Sequence, residues 1–295
     1  MSTTAKPMIA SALDFAARSD TGRARENNED NFQIAAELGL FVLSDGMGGL
    51  DAGEIASKLA VETIYAHCRD ADSNPSLAFE GEHVDGASET SNRLASAIQF
   101  ANKLVRAAAA EGAKTEHSDN GSGGSSGTPK SMGATVVALQ FFADRVSVAH
   151  VGDSRAYRLR SGEFLQLTDD HSLVAQQVRE GRMTEAEAEA SPLKNVLMRA
   201  LGVDDTVEIE VDEEIAMEGD AYLLCSDGLT RELSDGQIAA VLTEMTDPQS
   251  AADQLIDLAN LAGGGDNITA IVVRVGAKSG STLGKIGRWI TRSGN

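Results

Sequence analysis

Three apolar, strand-like runs in this chain each stop at an aspartate followed by a turn: GLFVLSDGMGG at Asp45, VSVAHVGDSRA at Asp153 and AYLLCSDGL at Asp227. A fourth, in GGGDNITAIVVRV, starts just after Asp266. A buried strand that ends in a carboxylate leaves that carboxylate at the edge of the core, because an unpaired charge is too costly to bury. One Asp-Gly is an ordinary turn. Four such aspartates from distant parts of one chain can converge at one end of the sheets, where their repulsion would demand cations. Carboxylate, carbonyl and water oxygens suit octahedral Mg²⁺ or Mn²⁺, and the sequence has no Cys cluster or HExxH pair that would suit zinc. The glycines after Asp45 let the backbone approach a cation, so the carbonyl of Gly46 is a further candidate ligand.

The remaining pattern is α+β. Strands are expected at 38–43, 133–142, 145–151, 156–160, 221–225 and 268–275, mostly antiparallel because several are joined by hairpin-length breaks. Helical periodicity covers 53–67, 92–110, 172–180, 235–243 and 248–262, with Ser234 and Asp247 as caps of the last two. Helices come in pairs between groups of strands, which favours helices covering packed sheets over a doubly wound parallel fold. The Gly/Ser-rich 113–131 and the acidic 70–90 read as surface insertions in one catalytic domain, 8–276. Residues 277–295 form a separate tail whose Leu283, Ile286, Trp289 and Ile290 share a helical face beside Lys285, Arg288 and Arg292. That pattern suits either a disordered end or a peptide docking on a partner or an anionic membrane.

Composition narrows the partners. With 45 acidic and 25 basic side chains, the net charge of −20 argues against nucleic-acid binding. A phosphate-handling site in such a chain needs local cations or arginines to reverse the field. The two cysteines, Cys68 and Cys225, form no CxxC and suggest no disulfide, which fits a reducing cytoplasm. No signal-peptide h-region and no apolar stretch long enough to span a bilayer is apparent.

Eight ordered segments resemble the protein phosphatase 2C (PPM) family in its compact bacterial form. They are TGRARENNED, FVLSDGMGG, SMGATVVAL, VAHVGDSRAYRLR, LTDDHS, LMRALG, LLCSDGL and GGDNIT. The resemblance implies a four-layer α/β/β/α sandwich with two central antiparallel sheets and a metal cluster at one end. It also implies a likeness of Asp45 to the bridging carboxylate, Gly46 to the carbonyl ligand, and Asp227 and Asp266 to the other ligands of the first metal. Glu29 resembles the acidic residue of the second metal, with Asp30 as its outer partner, and Asp153 with Asp227 the pair that holds a third, weaker ion. Arg25 matches the arginine that grips the substrate phosphate, a role that suits a guanidinium fork.

By the same resemblance the chain is expected to be a monomeric serine/threonine protein phosphatase acting on the phosphoproteins of an opposing kinase. Two Mn²⁺ or Mg²⁺ ions would acidify a bridging water that attacks phosphorus directly. Many family members carry a histidine where this chain has Met47, and a thioether donates no proton, so leaving-group protonation falls to a metal-held water or another group. By resemblance the segment 171–192 corresponds to the family's mobile flap, whereas its composition alone supports only an exposed helix with solvated charges.

Two other readings are weaker. GDS in VGDSRA comes near a nucleophile elbow, but Ala156 replaces the required glycine and a strand follows instead of a helix. A silent, binding-only relative is disfavoured by the intact ligand set. His150 is expected to be a core residue, His171 to serve a turn or helix start alongside Asp169 or Asp170, and Met8, Met132, Met183 and Met198 to be core or contact residues.

Overall fold

The structure, a computed structural model, describes residues 13–48, 52–74, 79–118 and 132–276, with backbone alone at 112–118. Eleven strands and seven helices follow in chain order among them: β1 (Leu13–Asp20), β2 (Asp30–Ala35), β3 (Leu40–Met47), α1 (Ala52–Ser73), α2 (Glu89–Ser118), β4 (Gly133–Ala134), β5 (Val136–Phe142), β6 (Arg145–Val151), β7 (Arg155–Arg160), β8 (Glu163–Gln166), α3 (Leu173–Arg179), α4 (Glu185–Glu189), β9 (Glu210–Ile215), β10 (Ala221–Cys225), α5 (Asp227–Thr230), α6 (Asp235–Glu244), α7 (Pro248–Ala262) and β11 (Ile268–Val275). One sheet runs β1-β11-β10-β7-β8 and the other β2-β3-β5-β6-β9, with β4 added to β3. All of these pairings are antiparallel.

Alternation along the central strands produces the layers. In β3, Leu40 and Val42 face α1 and α2, while Phe41 and Leu43 face the other sheet. In β11, Ile268, Ala270 and Val272 face α6 and α7, while Ile271 and Val273 point back to the middle. Both faces of these strands are covered, so they read as continuous apolar runs. The middle layer holds a chain of edge-to-face rings, with Phe15–Phe41, Phe41–Phe141 and Phe141–Tyr222 centroids 5.3, 5.8 and 5.4 Å apart. Each such pair adds about 0.5–1.5 kcal/mol beyond its burial. The architecture is the expected α/β/β/α sandwich.

Several expectations need correction. Strand β3 continues past 43 through Asp45 and Gly46, because Asp45 pairs with Asp30 of β2 and Gly46 with Ala134 of β4. The single strand expected at 133–142 is broken at Thr135, whose backbone and hydroxyl both bond to Asp45. Helix α2 runs on to Ser118, into the segment expected to be a loop, and α1 runs to Ser73, into the 70–90 insertion. Strands β1, β2 and β9 were not expected at all, and β8 was read only as a continuation of the strand at 156–160. The caps hold: Asp247 accepts from the Ser250 N–H at 2.8 Å, and the Gln237 side chain accepts from the Ser234 N–H at 3.0 Å. Met132 is buried in the core and Met198 is half exposed. Met8, Gly49, the stretch 119–131 and the tail 277–295 lie outside the described residues. Both cysteines are free and buried, and burial pushes both thiols up to about 12. Among the described residues no helix is long and apolar enough to cross a membrane.

Candidate metal centre

Four elements deliver the aspartates to one end of the sheets. Asp45 lies near the end of β3, Asp153 in the turn between β6 and β7, Asp227 at the start of α5, and Asp266 in the loop before β11. Asp30, the first residue of β2, stands opposite Asp45. The five act on one another. Burial first, then the charges of Asp30, Asp227, Asp153 and Asp266, hold the Asp45 carboxyl well above the usual carboxylate range. Burial raises Asp153 to about 7, helped by Asp227 and Asp170 and opposed by Arg231. Asp30 also rises to about 7, because burial outweighs its hydrogen bonds from Thr269 and Ser226. Asp227 is raised by burial, against the pull of Arg231.

Asp30 is not simply an outer partner of its neighbour Glu29. Its Oδ2 accepts from Ser226 Oγ and Thr269 Oγ1, both at 2.7 Å, which ties β2 to the ends of β10 and β11. Its Oδ1, like Oδ1 of Asp227, is buried without a hydrogen-bond partner. Orphaned, crowded carboxylate oxygens are costly unless a cation takes them up, and an all-oxygen donor set fits Mg²⁺ or Mn²⁺.

Glu29 and Gly46 are packed against the start of α1. The Glu29 carbonyl accepts from Gly46 N–H at 3.1 Å and Ser57 Oγ at 2.5 Å. A Cβ on Gly53 would lie 2.6 Å from the Glu29 carboxylate, and one on Gly46 would lie 2.0 Å from the Gly53 carbonyl. Only glycine lets β3, α1 and Glu29 approach this closely. Arg25 is half exposed and reaches Asp266 Oδ2 at 2.9 Å. The structure therefore brings Arg25, Asp30, Asp45, Asp153, Asp227 and Asp266 into one electrostatic group, with Glu29 and Gly46 beside it.

Comparison with known proteins decides the family. The protein phosphatase 2C profile matches residues 21–261. The chain belongs to the protein phosphatase 2C family. It is 37% identical over 263 residues to serine/threonine protein phosphatase PstP of Mycobacterium tuberculosis, across 89% of this chain and 45% of PstP. It therefore spans under half of that relative's length. It is 35% identical to serine/threonine phosphatase stp of Listeria innocua, across 87% of this chain and 93% of that one. A solved catalytic domain of PstP, in complex with two manganese ions, superposes with a TM-score of 0.70 at 35% identity, covering 90% of this chain and 99% of that chain.

Three further features surround this centre, and the first and third were not visible in the sequence. Arg231, one turn after Asp227, pairs with Asp227 and, at 2.8 Å, with Asp266, so a second arginine balances the centre. A cavity of about 560 Å³ runs from Asp153, Asp227 and Arg231 to the inner side of α3 and α4, which sets the 171–192 segment beside the Asp153 and Asp227 side of the centre. Away from the aspartates, His150, His171 and Glu210 bring one potential ligand atom each within 4.8 Å of one another, a group that could hold a metal ion. Burial lowers His171 to about 4. His171 is thus a buried residue, and the helix start expected of it belongs to Ser172, whose hydroxyl caps α3. Met47 packs toward Gly133, whose Cβ would lie 2.9 Å from Met47 Cε.

Proposed function

We propose that this chain hydrolyses phosphoserine and phosphothreonine in proteins by direct attack of water, with Asp45, Gly46, Glu29, Asp227 and Asp266 holding two Mn²⁺ or Mg²⁺ ions and Asp153 with Asp227 holding a third, weaker one. The observation that carries this reading is the convergence of buried, mutually repelling aspartates on Asp45. When bound, the ions would supply an acidified water as nucleophile and positive charge for the phosphoryl oxygens.

The chain's own residues prepare the site. Arg25 presents an exposed guanidinium fork, held beside Asp266, to bind two oxygens of the substrate phosphate. Asp30 fixes Ser226 and Thr269, and so the ends of the strands that lead to Asp227 and Asp266. Arg231 offsets charge on Asp227 and Asp266. Helices α3 and α4 wall the cavity beside the centre and present side chains to the residues flanking a phosphorylated serine or threonine. Phosphoproteins of an opposing kinase, in the cytoplasm, are the substrates this reading implies.

Phosphate release from an aryl phosphate and from a phosphothreonine peptide tests the reading. Mn²⁺-dependent turnover of both, abolished by chelation and leaving no phosphate on the quenched protein, is expected. Turnover that survives chelation, or a stable phosphoprotein, would exclude the mechanism, and inactivity with Mn²⁺ bound would favour a binding-only relative.

A further inference from the structure

His171 touches two parts of the molecule at once. Its ring Nδ1 accepts from the Gly152 N–H at 3.1 Å, and its own N–H donates to the Gly152 carbonyl at 3.0 Å, so the peptide groups on both sides of Gly152 are held by one residue. Its carbonyl accepts from the Met198 N–H at 2.7 Å, while Leu173 N–H donates to the Val196 carbonyl at 2.8 Å. Both ends of the segment carrying α3 and α4 therefore meet at His171.

The tautomer follows from these contacts. Nδ1 is an acceptor, so the ring proton sits on Nε2, which lies 3.0 Å from Glu210 Oε1; Arg199 Nη1, 3.2 Å from the same Nε2, has Glu210 Oε1 as its acceptor. His150 stacks on His171 with centroids 4.6 Å apart, and its Nε2 lies 2.9 Å from the Asp169 carbonyl, which can only accept. Glu210 also takes Arg199 Nη1 at 2.9 Å. The atoms that could ligate a metal here are already engaged in hydrogen bonds, and a guanidinium supplies the positive charge. The cluster works as a brace.

What it braces is the turn bearing Asp153. Gly152 has φ of +109°, and a Cβ there would lie 2.6 Å from Thr135 Cγ2. On the other side of Asp153, Ser154 Oγ lies 2.7 Å from Thr135 Oγ1, which accepts from the Asp45 N–H at 3.0 Å. We infer that His171 is a positioning residue for Asp153, coupling the helical segment above the cavity to the carboxylate assigned the weaker ion. The inference rests on the proposed role of Asp153.

The test exploits two side chains that each keep half of the imidazole. An asparagine oxygen replaces Nδ1, and a glutamine amide reaches the place of Nε2. Mn²⁺ binding is titrated by the paramagnetic signal of free Mn²⁺ for the unaltered protein, His171→Asn, His171→Gln and Asp153→Asn. Asp153→Asn should lose the weak site. His171→Asn should keep it nearly unchanged, and His171→Gln should weaken it about 10-fold or more, the scale for groups that orient metal ligands. If Asp153→Asn loses the weak site while His171→Gln binds like the unaltered protein, or if the Asn and Gln variants weaken equally, the inference is overturned. If Asp153→Asn keeps every site, the reading of Asp153 fails instead. Amide exchange at Gly152 in the unaltered protein reads the brace without any substitution: protection is expected, and exchange at open-loop rates overturns it.

Discussion

Asp30 and Asp45 face each other as a cross-strand pair, two carboxylates directly opposite where β2 meets β3. Like charges in that position are destabilising, and burial makes the conflict worse. Without metal, Asp45→Asn should therefore raise the melting temperature, by about 2–4 °C for each kcal/mol of repulsion relieved. With Mn²⁺ it should lower phosphatase activity at least about 100-fold, because the proposed assignment makes Asp45 a ligand rather than a supporting group. Calorimetry in chelator, paired with a turnover assay, checks both halves. A variant that keeps full activity would remove Asp45 from the centre.

The same charges set a pH dependence. In the chelated protein Asp30 and Asp153 hold protons up to about 7, whereas the unfolded chain releases them near 3.8. The folded chain binds more protons between those values, so stability falls as pH rises toward about 7 and levels off above it. His171, lowered to about 4, acts in the opposite direction, but only below its ordinary 6.5. The melting temperature in chelator should thus fall from pH 6.5 to 7.5, and saturating Mn²⁺ should remove the decline. A rise over that interval in chelator would contradict the assignment.

Arg25→Ala should raise KM for a phosphopeptide roughly 10- to 100-fold, matching the ~1.5–3 kcal/mol of a charged hydrogen bond, with a smaller change in kcat. Arg25→Lys should recover little, since a point charge does not reproduce the fork. Steady-state kinetics decide it. A loss confined to kcat would show that Arg25 acts only at the transition state.

Arg231 pairs with Asp227 and Asp266, so under the proposed assignment it would compete with metal for both. Arg231→Ala should tighten Mn²⁺ binding about 3- to 5-fold, on the ~1 kcal/mol scale of a partly exposed pair, and should lower the melting temperature in chelator. Weaker Mn²⁺ binding would mean that Arg231 supports the ions instead.

Glu185 and Glu189 of α4 line the cavity that reaches Asp153 and Asp227. Replacing both with glutamine should change kcat/KM for phosphopeptides several-fold and leave aryl phosphate turnover within about 2-fold, since surface charge acts mainly on the larger ligand. Equal effects on both substrates would show that the helix does not meet the substrate chain.

How much of this was legible in the sequence depends on burial. The six expected strands are the inner ones, where two covered faces leave an apolar run that local pattern detects. The other four, β1, β2 and β9, which were unexpected, and β8, which was read only as a run-on of β7, are the four edges of the two sheets. Their residues LDFAARSD, DNFQIA, EFLQ and EVDEEI are half exposed, and nothing local separates them from polar loops. The aspartates Asp45, Asp153, Asp227 and Asp266 were legible because each adjoins an inner strand. Arg231 and Glu210 were not, because each finds its role only through residues distant in the chain or one turn along a four-residue helix.

Those polar edges also bear on how the protein behaves at high concentration. A sheet edge is a template on which another chain can add a strand, the first step toward fibrils or tangled dimers. Strand β9 places Glu210, Asp212, Glu213 and Glu214 along its six residues, and Arg145 and Arg158 of this same chain answer Glu213 and Glu214. An incoming strand would meet a row of acids in a protein of net charge −20. An edge whose sequence does not read as a strand is thus guarded against becoming the seed of an aggregate.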